Sequence, residues 1–141
     1  MYRALLGNPA LKVSPADVSR AFDHYREMLR VRYSSSLFRM ETAAQVQQGL
    51  TFLNVGPAQQ PGVIAMKLSG AVSATNPYRQ VLVVFNATGQ SVTLNDPALT
   101  GLNLSLHPVL AGSTDPVVKG SRASGGSVTV PALTTAVFVS Q

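Results

Sequence analysis

The hydrophobic pattern of this chain changes period once, at Gly49, and that change limits the fold more than any single motif does. Before it, Val18, Phe22, Tyr25 and Leu29 recur at spacings of four, three and four, which is one face of a helix. After it, apolar residues fall in short runs that alternate or stand unbroken, each bounded by Gly, Pro, Asn or Ser. Such a chain is a helix followed by strands.

The helix has strong local signals. Ser14 can cap the first turn, Pro15 suits the first helical position and Asp17 complements the positive helix end. Ala21, Met28 and Arg32 widen the stripe, and Arg30 and Arg32 stand where cations are favoured. The spacing predicts a helix over 15–33, ending at Ser34-Ser35-Ser36. Leu37-Phe38 follows as an apolar plug, and Thr42 to Gln48 as a short helical turn capped by Thr42. Strands are expected at 50–53, 63–68, 80–85, 91–94, 102–109, 127–130 and 135–139. The third of these includes VLVVF, Val81 to Phe85, an unbroken apolar run that reads as a buried strand. Thr88-Gly89-Gln90 suggests a hairpin between it and the strand at 91–94. Segments 69–77 and 115–121 read as connections, and Ser124-Gly125-Gly126 as a turn. The expected fold is mainly β: an antiparallel β-sandwich of about seven to eight strands preceded by one long amphipathic α-helix. The expected organisation is 1–36 for the linker and helix and 37–141 for the β-domain.

Composition narrows the function. The 141 residues are one domain's worth, and 45% hydrophobic content allows a proper core. Charged residues make up 12%, roughly half the usual share. So little charge means a surface of Ser, Thr, Asn and Gln, or one partly covered by another body. Residues 1–40 carry seven basic and three acidic side chains, most of the net +5. Most of the basic residues lie on the helix pattern and its exit, beside Asp23 and Glu27, without the basic, aromatic-interleaved face of a nucleic-acid binder. There is no cysteine, hence no disulfide or thiolate chemistry, and no tryptophan for a sugar platform. No apolar run approaches a membrane span, and MYRALLGNPALK lacks the apolar core of a signal peptide. The compartment stays open.

The chain is poor in groups that do chemistry. Its six carboxylates are Asp17, Asp23, Glu27, Glu41, Asp96 and Asp115. The helical ones are explained by capping and by pairing with Arg26 and Arg30, and Asp96-Pro97 and Asp115-Pro116 are turn signals. Glycoside hydrolysis needs a flanking carboxylate pair, and none is spaced for it here. His24 is expected to face solvent, and His107 to be a hydrogen-bonded residue at a strand end. No cofactor or metal site is expected. Asn86-Ala87-Thr88 spells a glycosylation sequon, but Asn86 reads as a strand terminus bonded to nearby backbone.

Several segments together resemble a known family. MLRVRYSSSLFRMETAAQVQQGLTFLN, NVGPAQQPGVIAMKL, QVLVVFNAT, LSLHPV with STDPVV, and SVTVPALTTAVFV are similar, in the same order, to the C-terminal part of bacterial pullulanases and related limit dextrinases of the α-amylase superfamily. YRALLGNPALKVSPADV resembles the link leaving their catalytic barrel. Ser36 stands where the family usually has proline, and Leu133 where it usually has arginine. The resemblance implies a parent α-1,6-glucosidase whose catalytic carboxylates lie upstream, on an (β/α)8 barrel. It implies that this chain is the non-catalytic C-terminal domain, packed against that barrel and stabilising it. Val18, Phe22, Tyr25, Leu29, Leu37 and Phe38 are then the expected interface with barrel and sandwich. Phe22, Tyr25, Met28 and Leu29 would cover the sandwich, and Val18 and Ala21 would face the other body. In isolation the same surface would promote self-association. One alternative is an α-glucan-binding module, with Tyr78 as its aromatic contact beside Asn76 and Arg79. Another is a stand-alone adhesion-type sandwich.

Overall fold

A computed structural model describes residues 3 and 6–141. Helix α1, Pro15–Tyr33, starts where its capping signals place it. Ser14 Oγ accepts from the Asp17 amide at 3.2 Å while the Ser14 amide donates to Asp17 Oδ2 at 3.0 Å. This reciprocal pair satisfies two orphan donors. A 3-10 turn, Ser36–Arg39, and a short helix α2, Ala43–Gly49, follow, with Thr42 and Gln45 forming a second reciprocal cap.

Among the described residues, eight strands then form two antiparallel sheets. The larger holds β1 (Leu50–Leu53), β2 (Val63–Ser69), β3 (Gln80–Asn86), β8 (Thr134–Ser140) and β5 (Ser105–Leu106), in the order β1-β2-β3-β8-β5. The smaller holds β4 (Val92–Asn95), β7 (Ser127–Val130) and β6 (Arg122–Ser124), in the order β4-β7-β6. Side chains alternate across a strand, so β3 feeds two cores. Leu82 and Val84 point inward with Ala136, Phe138, Leu94, Val128 and Val130. Val81 and Val83 point outward with Val137, Val139 and Leu68, under a cover of Val31, Leu37, Leu110 and Val118. This is why Val81 to Val84 run unbroken: both faces of the strand are buried there. The outer face is covered at one end only. At the other end Phe52, Ile64 and Phe85 are exposed, with Ile64 directly opposite Phe85 in register.

Four expectations are corrected. The strand at 91–94 is not the hairpin partner of β3; β4 crosses to the other sheet and pairs with β7. The Asn86 side chain turns the chain there, as described below. The strand expected over 102–109 shrinks to Ser105–Leu106, because Pro108 has no N–H for a ladder and instead opens a helical turn, α3 (Pro108–Ala111). Arg122–Ser124, which begins just after the expected connection at 115–121 and takes in the first residue of the expected turn, is a strand; Gly125 and Gly126, at φ 57° and 84°, form its hairpin with β7. Finally, α1 meets the sandwich through Val31 and Met28 rather than through Phe22 and Tyr25.

Candidate domain interface

Helix α1 has two unlike faces. On one, Val18 and Phe22 are each 59% exposed, Tyr25 63% and Leu29 37%. Arg26 lies 5.5 Å above the Phe22 ring. An open stripe of four large apolar side chains on one helix face is a surface suited to another body. The expected interface residues are thus divided: Val18, Phe22, Tyr25 and Leu29 lie on this stripe, whereas Leu37 is buried and Phe38 half-buried against the sheet.

The other face is sewn to the sandwich by polar contacts. Glu27 Oε2 accepts from Ser113 Oγ at 3.0 Å, and the same oxygen of Ser113 accepts from the Asp115 amide. Below it, each serine of the Ser34-Ser35-Ser36 run reaches a different partner. Ser34 Oγ donates to the Val31 carbonyl at 2.7 Å and lies 2.9 Å from His107 Nε2. Ser35 Oγ, fully buried, donates to Asn76 Oδ1 at 2.7 Å. The Ser36 amide donates to the Thr75 carbonyl at 2.9 Å. A proline at 36, the usual family residue, has no N–H for this last bond.

His107 is the centre of the seam. Its Nδ1 accepts from the Val109 amide at 3.2 Å and caps α3, so the neutral ring carries its proton on Nε2 and donates it to Ser34. Burial disfavours the imidazolium and lowers its pKa. This is no nucleophilic dyad: the Ser34 proton is committed to Val31, and no carboxylate orients Nδ1. The expectation of a hydrogen-bonded His107 at a strand end holds: it follows β5 directly and also caps α3.

Tyr78 and Asn76 sit in the same seam. Tyr78 is 8% exposed, its ring edge-on to His107 at 5.6 Å, and Asn76 is 2% exposed. Asn76 accepts from Ser35 and from the Tyr78 amide and donates to the Ala71 carbonyl. Neither presents a surface on which a sugar could stack, because both complete the core; only Arg79 of the three is exposed. Among the described residues no three His, Asp or Glu side chains converge, and no helix is long and apolar enough to cross a membrane. His24 is exposed.

The residues that sequence reasoning missed are Glu27, Ser113, Ser34 and Ser35. Nothing local marks them: Glu27 stands beside Arg26, Ser113 between Gly112 and Thr114, and Ser34 and Ser35 inside a serine run.

The fold and the seam define an antiparallel two-sheet sandwich domain that carries an amphipathic helix with its apolar stripe turned outward. Comparison with known proteins agrees. A family model described as alpha-1,6-glucosidases, pullulanase-type, C-terminal, matches residues 1–141. The chain belongs to this family, the C-terminal domain of pullulanase-type alpha-1,6-glucosidases. It is 38% identical to the chloroplastic Pullulanase 1 of Arabidopsis thaliana over 95% of its length and 15% of that protein's. It is 30% identical to the pullulanase of Klebsiella pneumoniae, over 87% of its length and 12% of the relative's. The crystal structure of PulA from Klebsiella oxytoca superposes with a TM-score of 0.80 at 28% identity, over 98% of this chain and 14% of that one. The chain thus spans about one-seventh of the length of the first of these curated relatives.

Proposed function

We propose that this domain serves a pullulanase-type enzyme, one that cleaves α-1,6-glucosidic bonds, by docking on its catalytic barrel and stabilising it. The observation that carries this reading is the outward apolar stripe of α1, Val18, Phe22, Tyr25 and Leu29, on a helix whose opposite face is already anchored. Burying such side chains contributes about 1.5–3 kcal/mol each, so the stripe is costly to leave in water. The seam holds the helix in place, and the barrel covers it. The domain supplies no acid, base or nucleophile to the reaction.

The test compares one double substitution in two settings. Phe22→Ser with Tyr25→Ser leaves the melting temperature of the 141-residue chain within about a degree, since both side chains are exposed there. In the longer enzyme read from the same reading frame, the same change lowers the melting temperature by several degrees. An unchanged melting temperature in the longer enzyme rejects barrel docking through α1. Hydrolysis of pullulan by the 141-residue chain alone would reject a non-catalytic role.

A further inference from the structure

A cleft of about 610 Å³ opens between the 36–41 turn, α2 and the connection from β2 to β3. Its size falls among small-ligand sites. The floor is tightly packed. A Cβ on Gly70 would stand 2.7 Å from Leu37 Cδ2, and one on Gly49 would stand 2.6 Å from Met40 Cε and 2.9 Å from the Ser69 carbonyl oxygen. Asn76, beneath, has its amide committed to Ser35, Ala71 and Tyr78. The hollow is therefore preformed.

The rim is chemically different. Arg39, Glu41, Gln45 and Gln48 line it, and all four are exposed. Among the described residues, Arg39 and Glu41 form no ion pair. Gln45 uses only Oε1, in the cap of α2, which leaves its NH₂ group available. One positive and one negative charge give the cleft no net field to gather an ion. Planar donors and acceptors above a floor of Leu37, Met40 and Ala71 suit a neutral ligand with many hydroxyls and an apolar ring face. Arg39 itself is propped on the exposed Tyr33 ring, its guanidinium carbon 5.1 Å from the ring centroid.

We infer that this cleft binds a short neutral oligosaccharide of the α-glucan class, held by Arg39, Glu41, Gln45 and Gln48. The α-glucan assignment rests on the proposed function; the preference for a neutral polyol rests on the lining alone. The site binds without reacting, since no carboxylate pair flanks it. It lies above the seam and does not use the Tyr78 ring.

Amide chemical shifts of the 141-residue chain, titrated with maltotriose at millimolar concentration, test this. Shifts are expected at residues 39–48 and 70–75. Arg39→Ala and Gln48→Ala are each expected to weaken binding about tenfold, the worth of one or two hydrogen bonds, with thermal unfolding unchanged. Absence of shifts, or shifts confined to residues 18–29, overturns the site. Equal binding of cellotriose overturns the α-glucan assignment. Barrel docking is read from the melting temperature of the longer enzyme, so either idea can fail without the other.

Discussion

Asn86 shows how much one side chain can decide. Its Nδ2 donates to the Gln90, Val130 and Pro131 carbonyls at 2.8, 3.2 and 2.8 Å, while Oδ1 accepts from the Thr88 amide and hydroxyl. It is 3% exposed, so the sequon nitrogen is committed and inaccessible. Asn86→Ala is expected to cost about 2–3 kcal/mol by leaving buried carbonyls unpaired. Asn86→Asp is expected to cost more, because a carboxylate would face three carbonyl oxygens. Denaturant unfolding of both variants measures this, and an aspartate variant as stable as wild type would show that the three bonds do not matter. His107 gives a pH dependence. Its folded pKa lies below the ordinary 6.5, so between the two values the unfolded chain binds more protons. Its contribution is fully present above about 6.5 and is lost as pH falls from there toward the folded value. Protonation puts a hydrogen on Nδ1 and removes the acceptor for Val109. Melting temperatures from about pH 8 to about pH 5 should fall for wild type and stay flatter for His107→Gln. Parallel curves would remove His107 as the cause. Asp17 adds a separate loss at lower pH, since its hydrogen bonds with Ser14 hold its pKa below the usual 3.8.

At the scale of elements, α1 shows which structural facts were legible in the sequence. Its ends were, because caps are local: Ser14 to Asp17 spans one turn. Its orientation was not. The stripe has the stronger apolar period, yet the helix turns it outward and packs through Val31, a position the stripe omits. Amphipathicity identifies a face that must be covered, but not what covers it. Val31→Ala is therefore expected to destabilise the isolated chain by about 1–3 kcal/mol, whereas Phe22→Ser stays within about 0.5 kcal/mol. Equal losses in denaturant unfolding would mean that the stripe, not Val31, anchors the helix. The strands divide in the same way. β2, β3 and β8 carry hydrophobic runs that read directly from sequence. β6, Arg-Ala-Ser, has no such pattern and exists because β7 offers an edge. The path of β4 depends on bonds from Asn86 to residues 44 and 45 positions away, which no local window contains.

For the whole molecule, the decisive arrangement is that β3 and β8 serve both cores at once. Leu82 and Phe138 belong to the core between the sheets, while Val81 and Val137 belong to the one under the helix. The two cores share a wall one strand thick, and the end of α1 enters the outer core through Val31. Loss of either core exposes one face of the same strands, so neither is stable without the other. The helix and the sandwich should then unfold together, although the sequence suggests a division near residue 36. Far-ultraviolet circular dichroism follows α1 and the strands, and near-ultraviolet signals follow Tyr78 in its buried seam. Both are expected to give one coincident transition. Leu82→Ala in the inner core and Val83→Ala in the outer core should each shift that whole transition to lower temperature without splitting it. Leu82→Ala is expected to cost about 2–5 kcal/mol and the smaller Val83→Ala less. An early loss of helical signal with the tyrosine signal retained would show that α1 is a separate unit resting on the sandwich, and would place the boundary at the serine run after all.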